Sequence, residues 1–244
     1  MTGFPGGTSV SVVTVYDWPA PDGRPGGSPH LHTASTEGYV VLRGDGAVET
    51  LSSAGYEERD LRPGRVVWFT PGTVHRLVNG GDLQILVVMQ NAGLPEAGDA
   101  VFTFPPDVLT DQARYRAAAA LPEPASDDEL AGAARRRRDL AMAGYLPLRD
   151  RVRAGDLDAL AELHRAAANL VSGRVAGWRQ RWHGGPLTQA TATGEHLDIL
   201  EAVATDHLAA AAVHDAGGPV PRFGMCGRLQ TWNLTGAPDG EEVA

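Results

Sequence analysis

Two short segments, one around residue 30 and the other around residue 75, constrain this chain more than any other feature. The first holds His30 and His32 followed by Glu37, and the second is a Pro-Gly turn at residues 71 and 72 followed by His75. Side chains at positions i and i+2 of a strand point to the same face, so His30 and His32 share a face. If the chain bends between residues 33 and 36, Glu37 returns beside them on a neighbouring strand.

Three imidazoles and one carboxylate form a donor set that suits Fe, Ni, Co, Mn, Cu or Zn and does not choose among them. Four protein ligands around an octahedral ion leave two positions for water, substrate or dioxygen. Open positions of this kind are typical of catalytic rather than structural metal sites. The two segments therefore predict a site for one divalent transition metal.

The same segments resemble the two motifs of the cupin family. The matching patterns are His30-x-His32-x4-Glu37-x6-Gly44 and Gly64-x6-Pro71-Gly72-x2-His75-x3-Asn79. The resemblance covers roughly residues 8 to 92, and it implies an antiparallel jelly-roll β-barrel whose metal ligands are His30, His32, Glu37 and His75. The family includes dioxygenases, decarboxylases, isomerases, seed storage proteins and sensor domains, so the fold alone does not fix the function.

The candidate catalytic residues are Glu37 and Tyr39. Tyr39 has the same strand parity as Glu37, so its side chain is expected inside the barrel. There it either hydrogen-bonds a substrate or a metal-bound oxygen, or only packs the barrel, and both readings stay open. Glu37 could shift from metal ligand to general base during a reaction. Asn79 is expected to have a structural role in a turn.

Composition narrows the classes of function. The net charge of −9 disfavours nonspecific binding to nucleic acid or to an anionic membrane. All 21 basic residues are arginine, which excludes Schiff-base catalysis, a lysine-bound pyridoxal cofactor and a P-loop lysine. The excess of arginine and alanine suggests a high-GC bacterial genome. Cys226 is the single cysteine, and we expect it to be a small buried side chain. A chain with one cysteine forms no internal disulfide, which fits a reducing, cytoplasmic compartment. We expect no signal peptide and no membrane span.

The pattern of residues predicts a mainly β fold with an α extension. Residues 1–104 are expected to form the barrel with the metal site, with a hairpin turn at Asp45-Gly46. Residues 105–215 are expected to form a helical region that packs on or covers the barrel, with a capping box at Ser126 and a helix from Glu195 to Val213. Residues 216–244 are expected to hold a strand-like segment, from Cys226 to Leu234, and a flexible tail.

The run Arg135 to Arg138 raises the question of nucleic acid binding, because a barrel followed by helices also resembles a transcriptional sensor. Between residues 107 and 215, however, 13 arginines face 16 acids, whereas a DNA-reading module is usually basic. We therefore interpret the run as a solvated helix face whose charge is offset by neighbouring acids. No nucleic acid partner is expected.

Three hypotheses for the function stay open on the sequence. The leading one is a metal-dependent dioxygenase that acts on a small organic molecule, with flavonol-type or other ring cleavage as its sharpest form. A metal-dependent isomerase or lyase would need only Lewis-acid polarisation of a keto acid or sugar. A noncatalytic small-molecule-binding or regulatory protein is the alternative from another class. A homodimer is plausible in each case, because barrel edges are exposed.

Overall fold

The computed structural model describes residues 3–234, and its centre is a nine-stranded antiparallel sheet that forms the jelly-roll barrel. The strands are β1 (Ser9–Val15), β2 (His30–His32), β3 (Glu37–Ser52), β4 (Gly55–Leu61), β5 (Val66–Phe69), β6 (Val74–Met89), β7 (Ala100–Phe102), β8 (Val220–Phe223) and β9 (Gly227–Thr231). The predicted mainly β fold with a helical extension is thereby confirmed.

The long strands β3 and β6 pair along most of their length and organise the sheet. Alternate residues on each strand point into the barrel, as the period of two requires. Tyr39 and Val41 on β3 and Ile85 and Val87 on β6 are buried, whereas the residues between them are only partly buried. Asn79 has a structural role, since its amide donates to Val15 O and its carbonyl accepts from Leu83 N, but it lies within strand β6 and not in the turn that was predicted.

The hairpin turn predicted at Asp45-Gly46 is wrong. Strand β3 continues through these residues to Ser52, and its register with β6 shifts at Arg43, Asp45 and Gly46. The two residues therefore lie in an irregular, bulged stretch of one strand rather than between two strands. Glycine provides the backbone freedom that both a β-bulge and a hairpin turn require. The Asp-Gly dipeptide alone therefore does not distinguish a bulge from a turn.

The helical region lies between β7 and β8. Its helices are α1 (Pro106–Leu109), α2 (Gln112–Ala119), α3 (Asp127–Arg153), α4 (Asp158–Val171), α5 (Val175–Trp182), α6 (Thr188–Glu201) and α7 (Asp206–Ala209), and its short 3-10 or π segments are Ser172–Arg174 and His183–Leu187; two further short turns are Pro5–Gly7 and Pro95–Asp99. The capping box at Ser126 is confirmed as the start of α3. The helix predicted from Glu195 to Val213 is wrong at both ends. Helix α6 begins at Thr188 and ends at Glu201, shortly before Val203, which has a positive φ.

The segment after Cys226 returns to the barrel as a strand. Strand β9 pairs antiparallel with β1, so Val13 faces Leu229 and Val15 faces Gly227. Gly227 is required there, because a Cβ atom would come too close to the backbone of Thr14. Strand β8, which extends this edge, was not predicted. The tail that was predicted to be flexible lies, from residue 235 on, outside the described residues.

The hydrophobic core has two parts, one inside the barrel and one between the barrel and the helices. The second part contains Phe102 and Phe104, which stack on each other, and buried residues of α3 and α4 such as Tyr145 and Leu163. The helices thus cover one side of the barrel. Within residues 3–234, the chain forms no helix of the length and apolarity needed to cross a membrane.

The arginine run on α3 is only partly a solvated face, which corrects the sequence interpretation. Arg135 and Arg136 are exposed, but Arg138 is fully buried. Its guanidinium donates to three main-chain carbonyl groups, Trp18 O, Pro19 O and Gly26 O, at 2.7–3.1 Å. This side chain therefore joins α3 to the loop that leads into β2.

Candidate metal centre

Neighbouring strands bring the four predicted ligands together inside the barrel. His30 and His32 occupy the ends of β2, and Glu37 is the first residue of β3. His75 lies on β6 directly opposite His30, because β2 and β6 pair at these residues. Strand parity and a bend predicted that His30, His32 and Glu37 share one site, whereas the inclusion of His75 was implied by the resemblance to the second motif.

The nitrogen and oxygen atoms of these side chains converge on a small volume. Glu37 Oε2 lies 2.8 Å from His75 Nε2 and 3.3 Å from His32 Nε2, and His75 Nε2 lies 3.1 Å from His30 Nε2. One donor atom from each side chain fits within a span of 4.8 Å. Ligand atoms at right angles around an ion with bonds of about 2.1 Å are about 3.0 Å apart, so the spacing suits a metal ion.

The protonation pattern of two imidazoles is an independent sign that a cation belongs here. The Nδ1 atoms of His30 and His75 face the carbonyl oxygens of Ser28 and Thr73 at 2.9 and 3.1 Å, so both Nδ1 atoms carry hydrogen in the neutral rings. Their Nε2 atoms then present lone pairs to each other. Glu37 Oε2 is buried without a well-formed hydrogen bond among the described residues. Three electron-rich atoms facing one another fit a bound cation.

The surroundings of the site are closed and largely apolar. The four side chains are between 1% and 7% exposed. The ring of Phe69 stacks on His75 with centroids 4.9 Å apart and meets Tyr39 edge-on at 5.1 Å. Helix α4 reaches the turn before His75, where His164 Nε2 lies 2.7 Å from Gly72 O. Ion binding and ligand chemistry would therefore take place away from bulk water.

Burial and mutual contact shift the pKa values of the site residues. Burial, reinforced by the nearby His75, lowers the pKa of His30 well below its usual value. Burial alone would raise the pKa of Glu37, but His75 and His32 outweigh it and hold that pKa well below the usual range. Burial would lower the pKa of His32, but Asp99 and Glu37 outweigh it and raise that pKa to about 9. The carboxylate of Glu37 is therefore ionised and available as a ligand at neutral pH.

Tyr39 points into the barrel, as its parity predicted. It is fully buried, and its hydroxyl has no well-formed hydrogen bond within the described part of the chain. Burial, together with the charge of Glu37, raises the pKa of Tyr39 well above its usual value. Cys226 is buried as predicted, and it lies close enough to Tyr39 that each affects the pKa of the other. This proximity could not be seen in the sequence, because it depends on β9 returning to β1.

Asp99, which was not among the predicted site residues, lies behind His32. Its carboxylate is fully buried, and Oδ2 stands 3.4 Å from His32 Nδ1. The backbone amides of Thr33, Ala34 and Ser35 donate to the same carboxylate at 2.6–3.0 Å. The one available signal was an acid directly before a strand-like Ala-Val-Phe run, and this did not indicate that the run pairs with β2.

Comparison with known proteins agrees with the barrel and its motifs. Residues 20–89 match the family model of the cupin domain. No curated protein matches the sequence. Similar solved structures include a conserved protein with a double-stranded beta-helix domain from Klebsiella pneumoniae (17% identity, 35% of this chain, 69% of that one, TM-score 0.29). They also include KdgF from a Halomonas species (25% identity, 27% of this chain, 57% of that one, TM-score 0.24). A cupin superfamily protein from Desulfitobacterium hafniense (18% identity, 34% of this chain, 66% of that one, TM-score 0.27) is a further case. Likeness at this level does not extend to activity.

Proposed function

We propose that this chain, whose residues 20–89 match the family model of the cupin domain, is a metal-dependent oxidoreductase that uses dioxygen to oxidise a small organic molecule. The observation that carries this proposal is the convergence of three imidazole nitrogens and Glu37 Oε2 in the buried interior of the barrel. The ligands would be His30, His32, Glu37 and His75. A divalent transition metal held by these residues would supply a Lewis acid that could bind a chelating substrate and dioxygen.

Two side chains of the site, Glu37 and Tyr39, have complementary roles in this proposal, one as a proton acceptor and the other as a hydrogen-bond donor. Glu37 is ionised, so it can accept a proton from an acidic hydroxyl of the substrate if it leaves the metal. The hydroxyl of Tyr39 stays protonated, because burial and Glu37 raise its pKa. It can therefore donate a hydrogen bond to a substrate oxygen. Glu37 and Tyr39 are the catalytic residues of this proposal.

The side chains packed around the proposed ligands favour a neutral substrate with a planar, largely apolar body. Phe69 and Tyr39 present aromatic surfaces beside His75, and the barrel core around them is built from aliphatic residues. A desolvated apolar wall disfavours a phosphorylated or multiply charged substrate. Chelating enols, including flavonol-type molecules, are therefore the first substrates to examine.

The test is oxygen uptake by the full chain after removal of bound metal and reconstitution with each of Fe, Ni, Co, Mn, Cu and Zn. Metal-dependent uptake with a chelating enol, abolished by Glu37→Gln, is the expected result. The matched control is Glu57→Gln, because Glu57 is an exposed carboxylate on β4. Absence of uptake with every metal and enol would refute the dioxygenase proposal. Anaerobic turnover of a keto acid or sugar would assign an isomerase or lyase, and stabilisation by small molecules without turnover would assign a binding protein.

We also propose that the protein acts in the cytoplasm as a homodimer. The observation that supports a dimer is an apolar patch on the outer side of β3 and β5. Trp68 is 69% exposed and Val66 56%, and β5 pairs with β3 alone among the described strands. Such an edge is prone to association. Light scattering should show a dimer that Trp68→Ser dissociates and that Trp182→Ser, a change on α5, leaves intact. A monomeric wild type would refute it.

A further inference from the structure

We propose that Asp99, which lies outside both sequence motifs, is a positioning residue that holds His32 with Nε2 facing the metal. This inference rests on the proposed metal site. The proposal assigns Asp99 no direct contact with metal or substrate. Its role is to accept a hydrogen bond from Nδ1 of His32, so that only Nε2 is left to act as a ligand.

The geometry supports this role because Asp99 faces the side of the ring opposite to the other ligands. His32 Nε2 lies 3.3 Å from Glu37 Oε2, while His32 Nδ1 lies 3.4 Å from Asp99 Oδ2. His30 and His75 have main-chain carbonyl oxygens in the equivalent place, at Ser28 and Thr73. For His32 the group in that place is the charged carboxylate of Asp99, which lies close to Nδ1 without forming a well-aligned hydrogen bond to it among the described residues. A carboxylate behind a metal-bound histidine fixes the tautomer and raises the basicity of the ring.

The carboxylate of Asp99 is itself held in place. It accepts hydrogen bonds from the amides of residues 33–35 and from the hydroxyl of Thr33, at 2.6–3.0 Å. The main chain is fixed as well, because Thr33 N donates to Asp99 O. The loop that separates His32 from Glu37 therefore wraps around this one carboxylate. Asp99 thereby fixes residues 33–35, which directly follow His32.

The helical region contributes to the same arrangement. The turn that ends at Asp99 is contacted by α5, where Trp178 Nε1 donates to Ala97 O at 3.1 Å. Strand β7, which begins directly after Asp99, pairs with β2, and its Phe102 N donates a hydrogen bond to the hydroxyl of Tyr115. The position of a metal ligand thus depends on residues far beyond the motifs that resemble the family.

The test compares the affinity for Zn²⁺ of the chelator-treated full chain and its variants, by competition with a chromogenic chelator. Asp99→Asn should weaken the affinity about 10- to 100-fold, the range found for partners of metal-bound histidines. Asp111→Asn is the matched control, since Asp111 also accepts two backbone amides but at the start of α2. It should leave the affinity unchanged. In a His32→Gln background, Asp99→Asn should weaken the affinity by less than about twofold further. The reason is that Asp99 acts on the metal through His32, so the effects of the two substitutions are not additive.

The outcomes separate this inference from the proposed function. An unchanged affinity in Asp99→Asn, or an equal loss with and without His32, would overturn the role of Asp99 while the metal site stands. A wild type that binds no Zn²⁺ would overturn both. A second measurement needs no variant, so it covers the case in which Asp99→Asn does not fold. In ¹⁵N-labelled, zinc-loaded wild type, the His32 ring should show a protonated Nδ1 and a metal-bound Nε2, and the opposite tautomer would refute the proposal.

Discussion

Replacing Arg138 by methionine should destabilise the fold strongly, although the residue belongs to a run of four arginines. The guanidinium is fully buried, and it satisfies the carbonyl oxygens of Trp18, Pro19 and Gly26. Methionine fills a similar volume but donates no hydrogen bond. The substitution leaves these carbonyl groups without their donor, and it removes the main link between α3 and the loop before β2.

The magnitude follows from the exposure of each acceptor. The bond to Gly26 O is buried, and its loss costs about 2 kcal/mol. The bonds to Trp18 O and Pro19 O are partly buried, and each contributes about 1 kcal/mol. The ion pair with Asp139, which is 43% exposed, adds little. The free energy of unfolding should therefore fall by about 4 kcal/mol, which lowers Tm by about 8–16 °C for a chain of this size.

Urea unfolding followed by tryptophan fluorescence measures this change, with the m-value as a check that the same surface becomes exposed. Arg136→Met is the matched control, because Arg136 lies on the same helix but is exposed. It should change the free energy of unfolding by less than about 0.5 kcal/mol. A loss below about 1 kcal/mol in Arg138→Met would refute the reasoning, as would equal effects of the two substitutions.

Three further predictions concern the metal centre and the charges around it. Replacing His30 and His75 together by alanine should abolish stoichiometric metal in elemental analysis, and metal retained at the wild-type level would contradict the assignment. Tyr39→Phe should slow turnover and change the free energy of unfolding by less than about 1 kcal/mol, because the hydroxyl has no well-formed partner; unchanged turnover would exclude Tyr39. Burial alone would raise the pKa of Asp22, but Arg76 outweighs it and lowers that pKa below 3.8. The ionised Asp22 therefore stabilises the fold fully above pH 4, and this stabilisation is lost as the pH falls further. Asp22→Asn should make the free energy of unfolding depend less on pH in the acid range. An unaltered pH dependence would disprove this.

Three of the four ligands follow from local rules, whereas His75 lies 45 positions after His30 and was predicted from the resemblance of its segment to the second cupin motif. Strand parity places His30 beside His32, and a short loop followed by a strand returns Glu37 to the same chamber. Asp99 was not predictable, because it lies 67 positions after His32 and their contact depends on the pairing between β2 and β7. A pairing of that kind is set by the packing of the whole barrel rather than by residues near either strand.

Arg138 shows a signal that was present and not used. The buried residues Ala134, Arg138, Ala141 and Tyr145 follow each other at intervals of four, three and four on α3. This spacing is the helical period of a core-facing stripe, and Arg138 is the one charged residue on it. Charge offset by neighbouring acids explained the run equally well in the sequence alone. Only the carbonyl groups of the loop at residues 18–26 distinguish a buried arginine from a solvated one.

The pairing of β1 with β9 has a consequence for how the chain is made. Residues 11–15 on this edge of β1 pair with residues 227–231, which are synthesised much later. This side of the barrel therefore stays open until nearly all of the described chain has left the ribosome. Contacts between such distant parts of a chain slow folding. During that interval the nascent β1 presents an unpaired, valine-rich edge, which favours misassembly with other chains. Synthesis of this protein should therefore depend on chaperones that hold the amino-terminal strands while the helices emerge.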